Sequence, residues 1–228
     1  MTPLEIFASA DDVLQDASYV RWPQAERLRY LNDGRRAMAV VRPDLYARVE
    51  TVTLVAGTKQ TLPANGFRFF DATRNINTDN TPGAAVRVIE REAMDALRPN
   101  WHADAAGPIK HFMLDERTPN VFYVYPQAAA NQKLEISYAE NPAVLLIANV
   151  STDQLTQEGV YAGLLADYVI HRAYLKDSEF AGNAALSQQH YQLFMAGLTL
   201  GGKRGLTTSP NMANVGGVPS RVAAAEGV

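Results

Sequence analysis

The chain of 228 residues is 47% apolar and 20% charged, a globular composition with length for one large domain or two small ones. A formal net charge of −3 and a pI near 5.8 argue against a general nucleic-acid binder, for which a basic domain with dense Lys/Arg clusters is expected. Having no cysteine, it has no disulfides, thiolate metal sites or cysteine nucleophile, and an intracellular assembly site fits best.

Met1 is followed by neither a basic leader nor an apolar signal stretch, and no apolar run approaches the roughly 20 residues of a membrane helix. The expectation is a protein without a signal peptide and without a membrane span. Thr2-Pro3-Leu4-Glu5 is a capping box with proline at the first helical position, and Ile6, Phe7, Ala10, Val13 and Leu14 recur at helical spacing. A helix over residues 3–16 is predicted.

Trp22-Pro23 opens a second helix, with Leu28, Leu31, Met38, Val41 and Leu45 on one face until Arg42-Pro43 weakens or ends it. Arginine outnumbers lysine 16 to 5, and seven arginines fall between Arg21 and Arg48. Because the planar guanidinium is weakly hydrated and bonds in a fork, such a helix is either a solvated basic face or an interface.

After Tyr46 the period becomes two. Thr51 to Val55, a turn at Ala56-Gly57, and Gln60-Thr61-Leu62 read as a hairpin. Further strands are predicted at 67–70, 85–90, 109–114, 121–125 and 133–138, separated by breaker-rich loops such as NINTDNTPG and DERTPN, with a short helix near 93–97. Two helices follow, QEGVYAGLLADYVIHRAYLKD from Gln157 and SEFAGNAALSQQHYQLFMAGL, the latter capped by Asp177 or Ser178. The first is apolar nearly all round (Val160, Leu164, Leu165, Val169, Ala173, Leu175), which calls for burial by other helices or a neighbouring subunit.

Residues 201–228 hold six glycines, two prolines and no periodic apolar face, too little apolar surface to order alone. A partner surface is therefore expected. The fold class is α+β, a helical bundle from residues 1–47 and 151–200, an inserted antiparallel β domain over 48–150, and an extended partner-binding tail over 201–228.

No constellation for catalysis emerges. His102, His111, His171 and His190 lack the spacing that places two ligands on one helix face, and no metal or cofactor is expected. His171, beside Arg172, reads as packed or interfacial. The adjacent acids Asp11-Asp12 and Asp115-Glu116 diverge, GGKRG is no phosphate loop, and no nucleophile elbow surrounds a serine. Phe67, Phe69, Phe70, Phe122, Tyr123 and Tyr125 are expected to be core. Only Arg68, Arg117 and Lys133 accompany them, too few for a nucleic-acid groove.

LRYLNDGRRAMAVVRPDLY, FRFFDATRN, FYVYP followed by KLEISYAENP, and ADYVIHRAYLKDSEFAGNAALSQQHYQLF resemble, in that order, the head-to-tail adaptor proteins of tailed bacteriophages, short-tailed ones above all. The resemblance implies a structural virion protein, not an enzyme, at the portal vertex between head and tail and assembled in the host cytoplasm. It implies a ring of about twelve copies under the portal protein, a docking platform for the next tail or nozzle protein, and DNA only as passing cargo. Lys203, Arg204, Leu206, Pro210, Met212, Val215, Val218 and Arg221 would then lie against the portal or tail, while Arg27, Arg35, Arg36, Arg42, Tyr168, His171 and Arg172 would meet neighbouring copies. The weighed alternatives are a carbohydrate- or receptor-binding β module of a phage tail, which needs exposed aromatics, and an enzyme of unknown type, which needs a cleft of converging carboxylates or histidines.

Overall fold

The computed structural model describes residues 1–155, 158–180 and 182–208, with 201–208 described as helix backbone alone. The chain is α+β and divides into two compact units, a helical one from residues 1–42 together with 144–228 and a β unit over 43–143. The β unit is thus inserted between the second and the later helices.

In the helical unit, α1 (Pro3–Leu14) begins with its capping box formed. Glu5 N–H donates to the Thr2 hydroxyl and Thr2 N–H to the Glu5 carboxylate, satisfying two otherwise orphaned donors. α2 (Gln24–Val41) stops where Pro43 cannot donate the next helical bond. The later pair are α4 (Ala162–Lys176), entered through a 3-10 turn at Glu158–Tyr161, and α5 (Asn183–Thr208).

α4 is the centre of the unit and packs against α1, α2 and α5. Its apolar girdle is covered by Ile6, Phe7 and Leu14 of α1, Leu31 and Met38 of α2, and Phe194 and Leu198 of α5, all buried. Each such residue contributes about 1.5–3 kcal/mol of apolar burial. Of the apolar positions that called for burial, Leu165, Val169 and Ala173 are buried within the one chain, Leu164 is half-buried, and Val160 and Leu175 stay exposed. Gly34 permits the approach of α2, since a Cβ there would lie 2.8 Å from Cδ1 of Tyr168.

Two details differ from expectation. Asp177 and Ser178 do not cap α5, which begins at Asn183, because the chain first makes a turn in which Phe180 N–H donates to the Asp177 carbonyl. Helix α5 also runs through residues 201–208, eight residues into the segment expected to be extended. Lys203, Arg204 and Leu206 therefore stand on helix, whereas Pro210, Met212, Val215, Val218 and Arg221 lie outside the described residues.

The β unit contains eight strands and α3 (Arg91–Leu97). The strands are β1 (Ala47–Thr53), β2 (Gly57–Thr61), β3 (Gly66–Ile76), β4 (Pro82–Ala85), β5 (Arg87–Val88), β6 (His111–Leu114), β7 (Val121–Ala128) and β8 (Lys133–Glu140). They form two sheets, ordered β1-β8-β3-β4 and β2-β7-β6-β5, antiparallel except for the β5/β6 pair.

The predicted hairpin at Ala56-Gly57 does not exist, because β1 pairs with β8 and β2 with β7, in different sheets. Gly57, at φ 113°, turns the chain across, and the Gln60 side chain secures the crossing through the N–H and C=O of Val55. A second crossing occurs at buried Val86, whose N–H donates to Thr73 before Arg87 N–H donates to Lys110. The predicted strand over 85–90 is accordingly two strands in two sheets.

Leu54, Phe69, Val86, Phe112, Phe122, Val124, Leu134, Ile136 and Tyr138 fill the space between the sheets, with the Phe69 and Phe122 rings stacked at 4.3 Å. The outer face of the second sheet is also covered. Met94 of α3, Trp101 and Met113 form a small second core against Tyr123 and Tyr125.

Candidate functional site

The arginine-rich helix α2 divides its cations between the interior and the surface. Arg27 is fully buried in the helical unit, and each nitrogen has a partner. Nε donates to the Trp22 carbonyl at 3.0 Å, Nη1 to the Asp11 carboxylate, and Nη2 to the Asp16 carbonyl at 2.9 Å and carboxylate at 3.0 Å. Asp16 also accepts from the N–H groups of Val20, Arg21 and Trp22. Burial works against its ionisation, but the Trp22 and Val20 donors and Arg27 outweigh that effect and hold its carboxyl below the usual 3.8.

Arg35 is likewise buried. Its Nε lies 2.9 and 3.0 Å from the two oxygens of Glu158, itself buried in the turn before α4. Next to it Asn32 donates to the Leu145 carbonyl and accepts from the Leu145 N–H. Arg27 and Arg35, expected to meet a neighbouring subunit, instead lock the helical unit internally, because a buried guanidinium is stable only with its charge and donors matched.

The remaining expected interface residues are closer to solvent, apart from Tyr168. Exposed Arg36 and half-buried Arg172 both approach Asp33, at 3.4 and 3.7 Å. Arg172 also lies over the Tyr30 ring at 5.3 Å. Tyr30 donates to Glu26, which accepts from Lys176, and burial followed by the Glu26 bond raises the phenol pKa strongly. Half-buried Arg42 donates to the Leu198 carbonyl at 3.4 Å. Tyr168 is buried between Gly34 and Phe194.

His171 faces buried Ser187 of α5. The Ser187 hydroxyl donates to the His171 carbonyl at 3.0 Å, and the ring Nδ1 lies 3.0 Å from the Ser187 carbonyl. Burial pushes the imidazole below its usual 6.5, partly countered by the Ser187 bond. This is a packed histidine joining two helices.

Around these locks, Val40, Phe180, Leu193 and Leu200 of the helical unit are largely exposed. Sequence reasoning did not single out Glu158, nor the Arg21–Asp177 pair at 2.5 Å under which Phe180 sits. These partners are more than 120 residues apart in sequence, and no local pattern announces them.

The β unit has a cleft of about 870 Å³ lined by Asn75, Asn77, Asp79, Gln132 and Lys133 among others. Its polar groups are engaged with the protein. Asn75 holds the carbonyls of Ala84 and Ile109 and the Ile109 N–H, and Lys133 donates to Asn80. No aromatic residue lines it, and the strand aromatics Phe69 and Phe122 are core. Among the described residues no three His, Asp or Glu side chains converge to hold a metal, and no helix is long and apolar enough to cross a membrane.

The family described as the SU10 adaptor protein matches residues 1–215. No curated protein matches the chain.

Proposed function

The chain belongs to the SU10 adaptor protein family, whose members are structural proteins of phage particles, and we propose that it forms the ring joining the portal to the tail. In this reading about twelve copies sit beneath the portal at the head–tail vertex, extend the DNA channel and present a platform to the next tail or nozzle protein. DNA passes through without being gripped, which suits a chain of net charge −3.

The observation that carries this reading is the extent of the family match. It spans both units and continues through Lys203, Arg204, Leu206, Pro210, Met212 and Val215, leaving only Val218 and Arg221 of the proposed portal-binding residues beyond it. A glycine-rich tail lying along one portal subunit or between two gains binding strength by multivalency, because a ring engages many such tails at once.

The internal locks shape the ring proposal. With Arg27 and Arg35 used inside the subunit, the basic contact to a neighbouring copy falls to the side bearing Arg36 and Arg172, with Arg42, Tyr168 and His171 supporting it from within. A rotational ring joins one patch to a different patch of the next copy.

Mass photometry of the chain alone and mixed with its portal tests this. A small free species that joins the portal in about twelve copies is expected, and a chain that never binds the portal refutes the reading. Arg36→Glu is expected to lose the ring while keeping the helical spectrum. Arg35→Glu is unsuitable, since it would bury a second carboxylate beside Glu158. Truncation after Thr208 is expected to abolish attachment to the portal, and unaltered attachment would remove the tail from the proposal.

A further inference from the structure

Each sheet of the β unit has two edges, and three of the four are blunted. β4 carries Pro82 and shifts register against β3; β5 is two residues long; β2 shifts register between Gly57 and Lys59 and exposes that lysine. Such devices keep edge strands from pairing with another chain. β1 has no proline, register shift or exposed lysine, and its two charges, Arg48 and Glu50 on the face of Tyr138 and Ile136, are of opposite sign and so repel only a mate set in the wrong register. Its residues, ARVETVT, include no Pro, Gly or Lys and pair with β8 in one unbroken register.

One bond fixes the direction of its free groups. Leu54 N–H donates to the Gln132 carbonyl, the next rung of that register. By antiparallel alternation Arg48, Glu50 and Val52 turn their main-chain groups toward β8, and Ala47, Val49, Thr51 and Thr53 turn theirs to the open edge. These four are exposed, Val49 by 65%, and among the described residues nothing bonds to their outward groups.

We infer that β1 pairs with β1 of a second copy, antiparallel, about a two-fold axis at Val49. Outward-facing residues must oppose outward-facing residues, which restricts the centre of a well-overlapped pair to Arg48, Val49, Glu50 or Thr51. Centring on Arg48 or Glu50 sets like charges face to face, which destabilises the pair. Centring on Thr51 leaves both charges without a mate, opposite Val52 and Leu54.

Centring on Val49 sets Arg48 opposite Glu50 of the second copy, twice over, with Val49 against its own mate and Ala47 against Thr51. Arg48 already lies 3.4 Å from Glu50 of its own strand and 3.0 Å from Glu140, so the second copy extends a ladder of alternating charge. A two-fold contact closes on itself and cannot propagate a ring. The pair therefore belongs to the free protein, covers the one edge with a long unbroken register, and opens before a ring is built through other surfaces.

The full chain has no cysteine, so single-cysteine variants report the register. In the Val49-centred pair, Val49→Cys opposes its own mate at about 5.5 Å between Cα atoms, within disulfide reach. Thr51→Cys faces Ala47 of the mate, and its two copies lie about 13 Å apart along the strands. Mild oxidation is expected to link Val49→Cys at least about tenfold faster than Thr51→Cys.

Sedimentation of the unaltered chain, without portal, is expected to show the mass rising with concentration from 25.0 kDa toward twice that value. Glu50→Arg should weaken the dimer about tenfold, and Arg48→Glu with Glu50→Arg should restore it. Val49→Pro, which removes an outward N–H and no bond to β8, should abolish the dimer. A chain that stays at 25.0 kDa at every accessible concentration overturns the inference, as does linkage at Thr51 as fast as at Val49. Because no portal is present, neither outcome bears on the ring.

Discussion

Replacing Arg27 by Met keeps most of the side-chain volume and removes the charge, which isolates what the guanidinium does. In the native fold it is fully buried and answers the Asp11 carboxylate, the Asp16 carboxylate and two main-chain carbonyls. Asp16 keeps the N–H donors of Val20, Arg21 and Trp22, so it stays solvated by the protein. Asp11 does not: its side chain is only 11% exposed, and Arg27 is its one ion-pair partner among the described residues. Leaving one member of a buried pair uncompensated costs about 3–5 kcal/mol.

Arg27→Met should therefore lower the stability of the helical unit by about 3–5 kcal/mol, read by urea unfolding followed at 222 nm, where α1, α2, α4 and α5 supply most of the signal. Adding Asp11→Ala should restore at least about 1 kcal/mol, since the orphaned carboxylate is gone. An Arg27→Met chain within about 1 kcal/mol of the parent, or strictly additive losses in the double variant, would sink the claim that this pair is a buried lock.

Other consequences can be measured in the same way. His171 has a folded-state pKa below 6.5, so the unfolded chain takes up the proton first; its stabilisation is complete above that pH and is lost as pH falls through it. The unfolding midpoint should fall between pH 7.5 and 5.5, a change that His171→Gln reduces. Gly34→Ala would set a Cβ 2.8 Å from Tyr168 Cδ1, and the overpacking should exceed the gain in helix propensity for a net loss of about 1 kcal/mol, relieved by Tyr168→Leu. In the β unit, burial and then the Glu50 bond push the Tyr138 phenol up to about 12, so ultraviolet titration should show late-ionising tyrosines whose number falls by one in Tyr138→Phe, the raised Tyr30 remaining.

What the sequence discloses here is what local physics dictates. The capping box of α1, the proline stop of α2 and the alternation of β7 and β8 each rest on neighbours a few residues apart, and each formed. The false hairpin at Gly57 shows the limit. Alternation and a glycine turn specify two strands, but which sheet each joins depends on β7 and β8, more than sixty residues later. The same holds for the arginines. Composition marks α2 as basic, yet only the distant Asp11, Asp16 and Glu158 decide that Arg27 and Arg35 go inside while Arg36 stays out. Chain order cannot rank those choices, because desolvation is decided by the folded surroundings.

The insertion of the β unit has a consequence for synthesis. Residues 43–143 are contiguous and can complete their own core as soon as they leave the ribosome, whereas α1 and α2 must wait for α4, which lies beyond the whole insertion. At about 5–20 residues per second the intervening hundred residues take about 5–20 s to make. During that interval Ile6, Phe7, Leu31 and Met38 have no α4 to cover them, and this early exposed pair of helices is the part of the nascent chain on which a chaperone would act.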